Sequence, residues 1–166
     1  MEKTADAVVI GGGIFGASVA HFLAKLGFGK IVLLEKRKFA AVSTGHTGGA
    51  IRTAYSNPLT IRLAKRALEM FSHSEQWLGG DCQFRRSGYL VLTDQEALTP
   101  GRKVMQLQTA QGLEVEEISV EEIHKRWPEI DLNPASIAAG IFEPNSGIAE
   151  GTLTTCNLIH SAKNWG

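Results

Sequence analysis

Six residues near the start of the chain have the types and spacing of a phosphate-binding turn. Gly11-Gly12-Gly13-Ile14-Phe15-Gly16 matches the pattern Gly-x-Gly-x-x-Gly. Gly11 would allow a tight turn, Gly13 would let the backbone approach a pyrophosphate, and Gly16 would permit close packing of a helix on a strand. The helix that follows would turn free N–H groups and its positive dipole end toward the phosphates. These residues therefore suit the binding of a dinucleotide.

An acidic residue follows at the place where such sites hold a ribose. Glu35 closes a short apolar segment, residues 30–34. Its carboxylate can accept hydrogen bonds from ribose hydroxyls and would repel a 2′-phosphate, so NADP is not expected. The turn and the acid together predict a dinucleotide cofactor, but they do not separate FAD from NAD.

The segments around these residues predict a strand, a helix and a second strand. Residues 5–10 are apolar and β-branched, residues 14–26 have helical periodicity, and residues 30–34 are again apolar. Strand, helix and strand in so short a stretch form a βαβ unit, whose crossover is right-handed. The helix is predicted to bury one apolar face, made of Val19, Phe22, Leu23 and Leu26.

The rest of the chain predicts further helices and strands. Residues 40–57 are rich in Gly, Ser and Thr and predict a long loop, which in a compact domain is usually functional or disordered. A helix beginning at Pro58 carries apolar residues at helical spacing as far as Leu78. Ser119 and Glu122 form a capping box for a short helix that Trp127-Pro128 should stop. Further strands are predicted over 84–93, 115–118 and 137–142, and further helices over 102–110 and 152–164, with Gly166 as the last C-cap.

The composition excludes several classes of function. The chain has 166 residues with 17 basic and 17 acidic side chains, and its zero net charge argues against nucleic acid or an anionic membrane as a partner. No apolar run is long enough to span a membrane. Cys82 and Cys156 match neither a zinc site nor a disulfide framework, and His73, His124 and His160 have no partner at metal spacing. We therefore expect a cytoplasmic protein without a metal.

A hydroxyl-rich loop follows Glu35 where a plain NAD-binding unit would continue into another helix. Ser43-Thr44-Gly45-His46-Thr47-Gly48-Gly49-Ala50-Ile51-Arg52 could lay backbone donors along an extended cofactor. With this loop, the chain resembles the D-amino-acid-oxidase-like FAD-dependent oxidoreductases, a family that includes glycine oxidase, sarcosine oxidase and dimethylglycine dehydrogenase. Arg86-Ser87-Gly88-Tyr89-Leu90 and residues 147–166 resemble later segments of that family. Glu150-Gly151 departs from the family's Asp-Pro.

The resemblance implies FAD as the cofactor. The residues implied in binding it are Gly11, Gly13, Ile14, Phe15, Gly16, Glu35, Lys36, Ser43, Thr44, Gly45, His46, Thr47 and Gly48. The glycine turn would hold the pyrophosphate, Glu35 the adenosine ribose, Lys36 would lie beside the adenine, and the loop would follow the pyrophosphate and ribityl chain. Arg52 would lie nearer the flavin, as a flavin-side or substrate-side residue, and no catalytic residue is otherwise assigned.

His46 raises the question of covalent attachment. In the dimethylglycine and sarcosine dehydrogenase branch of the family, a histidine at a similar loop position carries FAD covalently. That branch has a bulky aromatic residue before the histidine, whereas this chain has Gly45. We therefore expect noncovalent FAD, with a hydrogen-bonding or packing role for His46.

The predicted fold class is α/β, with a Rossmann-type FAD-binding βαβ unit of the glutathione-reductase-like kind and the start of an interleaved α+β substrate domain. Residues 1–80 are assigned to the FAD-binding domain, 81–145 to the substrate region, and 146–166 to a helix returning toward the FAD domain. Two parallel strands cannot make a doubly wound sheet. The domain is therefore expected to be incomplete, with a C-terminal part or an additional chain completing the site, and no turnover is expected from this chain alone.

The resemblance also implies a reaction. Family members oxidise the C–N bond of an amine or amino acid such as sarcosine, glycine or dimethylglycine by hydride transfer to the flavin, and oxygen or an electron carrier accepts the electrons. Two alternatives stay open: an NAD-dependent Rossmann dehydrogenase, against which the residue 43–52 loop argues, and a non-catalytic dinucleotide-binding or assembly fragment.

Overall fold

The computed structural model describes residues 4–132 and 136–165. The chain divides into two compact units and passes between them more than once. The first unit comprises Met1–Ala50, Glu69–Arg85 and Ile148–Gly166, and the second comprises Ile51–Leu68 and Arg86–Gly147. This division does not test the expected domain boundaries, which stay a prediction. The expected C-cap at residue 166 lies outside the described residues.

The first unit is built on the predicted βαβ arrangement. Strand β1 (Ala7–Ile10) leads into helix α1 (Ile14–Lys25), and strand β2 (Ile31–Leu34) returns beside β1. The two strands are parallel, with Val8 opposite Val32 in their register. Because parallel strands end at the same edge of a sheet, the residues that follow β1 and β2 lie close to the start of α1.

Helix α1 buries a different face from the one predicted. It packs along helix α6 (Gly151–Lys163), and its buried residues are Ala17, Ala20, His21 and Ala24. Val19 is 49% exposed and Leu26 is 79% exposed. The prediction took bulky apolar residues as the mark of the buried face. A row of alanines is what lets two helix axes approach closely, since the separation of packed helices depends on the side chains between them.

The predicted helix from Pro58 divides into two helices. Helix α2 (Pro58–Ser72) and helix α3 (Ser74–Leu78) are separated at His73. Leu78 then joins the core of the first unit, where it clusters with Ala17, Cys82, Leu158 and Ile159.

The second unit contains a three-stranded antiparallel sheet in the order β4-β6-β5. Its strands are β4 (Tyr89–Thr93), β5 (Glu116–Ile118) and β6 (Ala139–Glu143). The strand predicted over 84–93 begins only at Tyr89, because the backbone at Gly88 has φ +76°, outside the extended region. Two further strands have only two residues each, β3 (Ala50–Ile51) and β7 (Gly147–Ile148), and each includes a point where the chain passes from one unit to the other.

Helix α4 (Gln95–Ala110) is longer than the predicted helix over 102–110. Asp94 caps its start, because the Asp94 side chain accepts a hydrogen bond from the Ala97 N–H at 2.7 Å. The sequence pattern concealed this first part of the helix because Pro100 and Gly101, which usually end helices, lie inside it. The helix therefore begins at its cap and continues through both residues.

The short helix α5 (Val120–Arg126) begins and ends as predicted. The Ser119 hydroxyl accepts the Glu122 N–H at 3.2 Å, which is one half of a capping box. The Glu122 carboxylate accepts instead from Arg126, one turn later, at 2.8 Å. None of the described helices is both long and apolar enough to cross a lipid bilayer.

A buried histidine lies in the first unit where the sequence indicated no role for one. His21 is 2% exposed, and its Nε2 atom lies 3.2 Å from the Trp77 carbonyl oxygen. Its Nδ1 atom is buried and has no partner among the described residues. Burial lowers the pKa of His21 from its ordinary value of 6.5, against the opposing effect of the Trp77 carbonyl. The folded chain therefore resists protonation of this imidazole more strongly than the unfolded chain does.

We expect the free energy of unfolding to fall as the pH is lowered below about 6.5. Below this pH the imidazole of the unfolded chain binds a proton, whereas the buried imidazole of the folded chain resists protonation. The contribution of His21 to the free energy of unfolding is therefore fully present above the unfolded-state pKa and decreases as the pH falls below it. Urea unfolding at about pH 7.5 and pH 5.5 measures the difference. In His21→Leu the difference should be much smaller, and an equal pH dependence in that variant would contradict the assignment to His21.

Candidate dinucleotide-binding site

The glycine turn between β1 and α1 has the close packing that its sequence predicted. Gly11 has φ +107°, a backbone conformation that residues other than glycine rarely adopt. Its N–H donates to the Leu34 carbonyl oxygen at 2.8 Å. A Cβ atom added to Gly16 would overlap the Gly11 carbonyl oxygen. Helix α1 can therefore begin directly against the end of β1 only because residue 16 has no side chain.

The start of α1 is open toward solvent except at one donor. Gly13 is the N-cap residue and has no side chain with which to cap the helix. The Ile14 N–H donates to the Thr44 hydroxyl at 3.1 Å, so the predicted loop reaches the helix N-terminus. Phe15 is 87% exposed. The first-turn N–H groups of a helix have no partner within it, and they are available here to an anionic group.

The carboxylate of Glu35 bonds to the glycine turn itself. One oxygen accepts the Gly12 N–H at 2.7 Å, and the other accepts the Arg37 N–H at 2.7 Å. These backbone hydrogen bonds, first that from Gly12, lower the pKa of Glu35 below its ordinary value of 4.5. A carboxylate has about four acceptor positions, so two remain for ribose hydroxyls. The sequence predicted a ribose ligand, and the bond to the turn was missed.

The loop that follows Glu35 is folded against the turn rather than extended. The Ala40 N–H donates to the Gly12 carbonyl oxygen at 2.9 Å, and Gly45 and His46 each donate to the Val42 carbonyl oxygen. Ala40 has φ +58°. Of the predicted residues that follow Glu35, those exposed are Lys36, Ser43, Gly45, His46, Thr47 and Gly48, whereas Thr44 is half-buried. The structure therefore presents the predicted loop residues to solvent at the edge of the turn.

Helix α6 begins beside the same loop, which the sequence did not indicate. A Cβ atom on Gly151 would lie 2.9 Å from the Thr44 carbonyl oxygen and 2.9 Å from the Thr47 Cγ2 atom. The departure from the family's Asp-Pro at this point thus has a physical reason, since proline has a Cβ atom and glycine has none. The absence of a side chain at 151 was the available signal.

The second unit contains the remaining predicted residue, Arg52, which is half-buried. Its guanidinium lies 4.6 Å from the ring centre of Tyr55 and 5.7 Å from that of Tyr89, and its Nη1 donates to the Ala54 carbonyl oxygen. Cation–π contacts of this kind hold a guanidinium in place without using its N–H donors. Among the described residues, Ala54 is the one hydrogen-bond acceptor found for Arg52, so its other N–H donors are open to a planar anion.

The potential metal ligands among the described residues are dispersed. They contain no group of three or more His, Cys, Asp or Glu side chains that could hold a metal ion. Cys82 is buried, Cys156 is exposed, and both are free thiols.

Comparison with known proteins identifies the family. A profile described as DAO, FAD dependent oxidoreductase, matches residues 6–166. The chain belongs to this family of FAD-dependent oxidoreductases. The resemblance expected from the glycine turn and the loop is confirmed, and the NAD-dependent alternative is set aside.

The relatives are longer proteins. Dimethylglycine dehydrogenase of Rattus norvegicus is 31% identical over 99% of this chain, which spans 19% of that enzyme. The crystal structure of L-proline dehydrogenase from P. horikoshii matches with a TM-score of 0.89 and 29% identity. The match covers 100% of this chain and 43% of the chain of that enzyme. Glycine oxidase from Bacillus cereus matches with a TM-score of 0.80 and 26% identity. The match covers 98% of this chain and 45% of the chain of that enzyme. The predicted α/β fold is confirmed.

The contact between Gly16 and Gly11 leads to a stability prediction. Gly16→Ala should lower the free energy of unfolding by about 1–3 kcal/mol, because the added methyl group must displace the Gly11 carbonyl. Gly48→Ala is the matched control: no atom lies within 4 Å of its added Cβ, and the expected change is within about 0.5 kcal/mol. Urea unfolding measures both, and equal losses in the two variants would contradict the close packing.

Proposed function

We propose that the chain forms the FAD-binding part of an oxidoreductase that oxidises the C–N bond of a small amine or amino acid. The observation that carries the proposal is the open start of α1 at the glycine turn, with Glu35 bonded to that turn at the end of the neighbouring strand. Relatives named for dimethylglycine, L-proline and glycine support the substrate class. The substrate itself is not assigned.

The residues of the first unit fit the adenosine diphosphate part of FAD. The turn leaves room for a pyrophosphate because Gly11 and Gly13 have no side chains, while Gly16 lets the helix begin directly against the strand. The helix start offers N–H donors and a positive dipole end. Glu35 keeps two acceptor positions for ribose hydroxyls. We propose that Gly11, Gly13, Ile14, Phe15, Gly16, Glu35 and Lys36 bind this part, and that residues 43–48 bind the pyrophosphate and ribityl chain.

The chemistry that bound FAD supplies is acceptance of a hydride from the carbon beside the substrate nitrogen. In the second unit, Arg52 has five N–H donors in a fixed planar fork, and one of them is donated to the Ala54 carbonyl. A fork of this kind matches a carboxylate bidentately. We propose that Arg52 binds the carboxylate of an amino-acid substrate and so fixes its orientation.

Other parts of the function are proposals from the resemblance. The electron acceptor is oxygen or an electron carrier, and a further polypeptide segment or chain completes the enclosure of the reacting centre. A cytoplasmic location stays a prediction from the sequence.

Adding dimethylglycine, sarcosine, glycine or proline with an artificial electron acceptor to the FAD-loaded chain tests the reaction. Rates near ~10 s⁻¹, the median for enzymes, would contradict the expectation that this chain alone does not turn over.

FAD binding is the first test. Titration should show that the chain binds FAD, and that Gly13→Val weakens binding at least tenfold, which is about 1.4 kcal/mol, because a branched side chain occupies the pyrophosphate position. Ala110→Val, which adds apolar bulk at an exposed position of the second unit, should leave the affinity unchanged. FAD binding that is unaffected by Gly13→Val would show that the cofactor binds elsewhere and would contradict the proposal.

The mode of FAD attachment has its own test. Because Gly45 replaces the aromatic residue of the covalent branch, acid precipitation of the FAD-loaded chain should leave the flavin in the supernatant. His46→Ala should behave in the same way. Flavin that stays in the pellet with the parent chain and leaves it in His46→Ala would show a covalent bond to His46 instead.

A further inference from the structure

The second unit contains a buried carboxylate that neither the glycine turn nor the loop accounts for. Glu143, at the end of β6, is 2% exposed. Its Oε2 atom accepts the Thr53 N–H at 2.8 Å, the Thr53 hydroxyl at 2.9 Å and the Ser146 hydroxyl at 2.6 Å. Its Oε1 atom accepts the Gln108 Nε2 at 3.1 Å. Thr53, Ser146 and Gln108 are themselves at most 2% exposed. Four donors therefore converge on one side chain.

Burial of this carboxylate is costly unless its hydrogen bonds are good. Among the described residues, the ion pairs involve Glu116, Glu117 and Glu122 and not Glu143. The compensation shown for Glu143 is thus hydrogen bonding, and two of its four bonds come from the backbone and the hydroxyl of one residue, Thr53. The network therefore holds the backbone at Thr53 in one position.

The residue held in this way is the neighbour of Arg52. The Arg52 guanidinium lies over the rings of Tyr55 and Tyr89, and Tyr89 is directly opposite Glu143 in the register of β4 and β6. Residues directly opposite in an antiparallel pair project from the same face of the sheet. One cross-strand pair thus anchors the segment twice: Tyr89 contacts the side chain of Arg52, and Glu143 binds the backbone of the next residue.

We propose that Glu143 is a positioning residue that fixes the guanidinium of Arg52 for anion recognition. The inference rests on the proposed function, in which Arg52 binds the substrate carboxylate. A free arginine side chain has many rotamers, and holding it in one geometry before binding reduces the entropy that binding must overcome. Glu143 acts through Thr53 and touches no substrate. Its role is to set where the planar fork of N–H donors lies.

Two conservative variants separate the reach of this side chain from its charge. Glu143→Asp keeps the charge but shortens the side chain by one methylene group, so the 2.8 Å bond to the Thr53 N–H is lost. Glu143→Gln keeps the length, and its carbonyl oxygen can take over the three bonds to Oε2. Its amide N–H₂ then faces Gln108, whose Oε1 atom has no partner among the described residues and can accept once the Gln108 amide rotates, at the cost of the 3.0 Å bond from Gln108 Nε2 to the Thr53 hydroxyl.

The direct readout is the NMR spectrum of the Arg52 side chain, whose protons are shifted by the rings of Tyr55 and Tyr89. Glu143→Asp should remove most of this ring-current shift, and Glu143→Gln should retain it. Ile118→Ala, which leaves a cavity in β5 of the same unit and destabilises it without touching the network, should also retain it. If Glu143→Asp unfolds the chain, Thr53→Val should reduce the shift, because it keeps the backbone bond to Glu143 but removes the bonds that the hydroxyl makes with Glu143 and Gln108. An unchanged shift in the folded Glu143→Asp or Thr53→Val variant, or an equal loss in Ile118→Ala, would overturn the proposal.

Acetate is the probe for the anion site, and it distinguishes the two proposals. Glu143→Asp should weaken acetate binding at Arg52 about tenfold, Glu143→Gln should change it less than about twofold, and Arg52→Gln should abolish it. Acetate binding that survives Arg52→Gln would refute the carboxylate role of Arg52 under the proposed function. The ring-current result on the Glu143 variants would still decide whether Glu143 positions Arg52.

Discussion

The first unit depends on the contact between the Cα of Gly16 and the carbonyl group of Gly11. This contact lets α1 begin directly against the end of β1, so the helix start lies at the edge of the sheet where β2 also ends. From there Glu35 reaches the Gly12 N–H, and Thr44 reaches the Ile14 N–H. A side chain at position 16 would move the helix start away from both groups, and the turn, the acid and the loop would no longer meet.

Local patterns were enough to predict the parts of the site that lie close together in the sequence. The glycine spacing predicted the turn and the helix after it, and the apolar segment before Glu35 predicted the second strand. Both follow from backbone sterics and from hydrophobic periodicity, which are properties of short segments. The structure confirms the βαβ unit and the short capped helix at Ser119.

Two of the failures concern contacts between distant segments, and a third concerns competing signals within one helix. The buried face of α1 was wrong because it is set by α6, more than a hundred residues later in the chain. The start of α4 was wrong because the Asp94 cap competes with Pro100 and Gly101, and pattern reading gave those two residues the greater weight. Glu143 was not singled out, although a glutamate in the otherwise apolar strand Ala-Gly-Ile-Phe-Glu was a visible signal. Three of its four donors belong to Thr53 and Gln108, which lie in distant segments, and no local pattern shows them.

The start of α6 imposes a constraint that links two separate stretches of the sequence. With the loop on its present path, the Thr44 carbonyl and the Thr47 methyl group leave no space for a Cβ atom at residue 151. A proline at position 151 would therefore require the loop to take a different path at these two threonines. The identity of the helix-start residue and the course of the loop should accordingly change together across the family, so that position 151 reports on the conformation of a segment a hundred residues earlier.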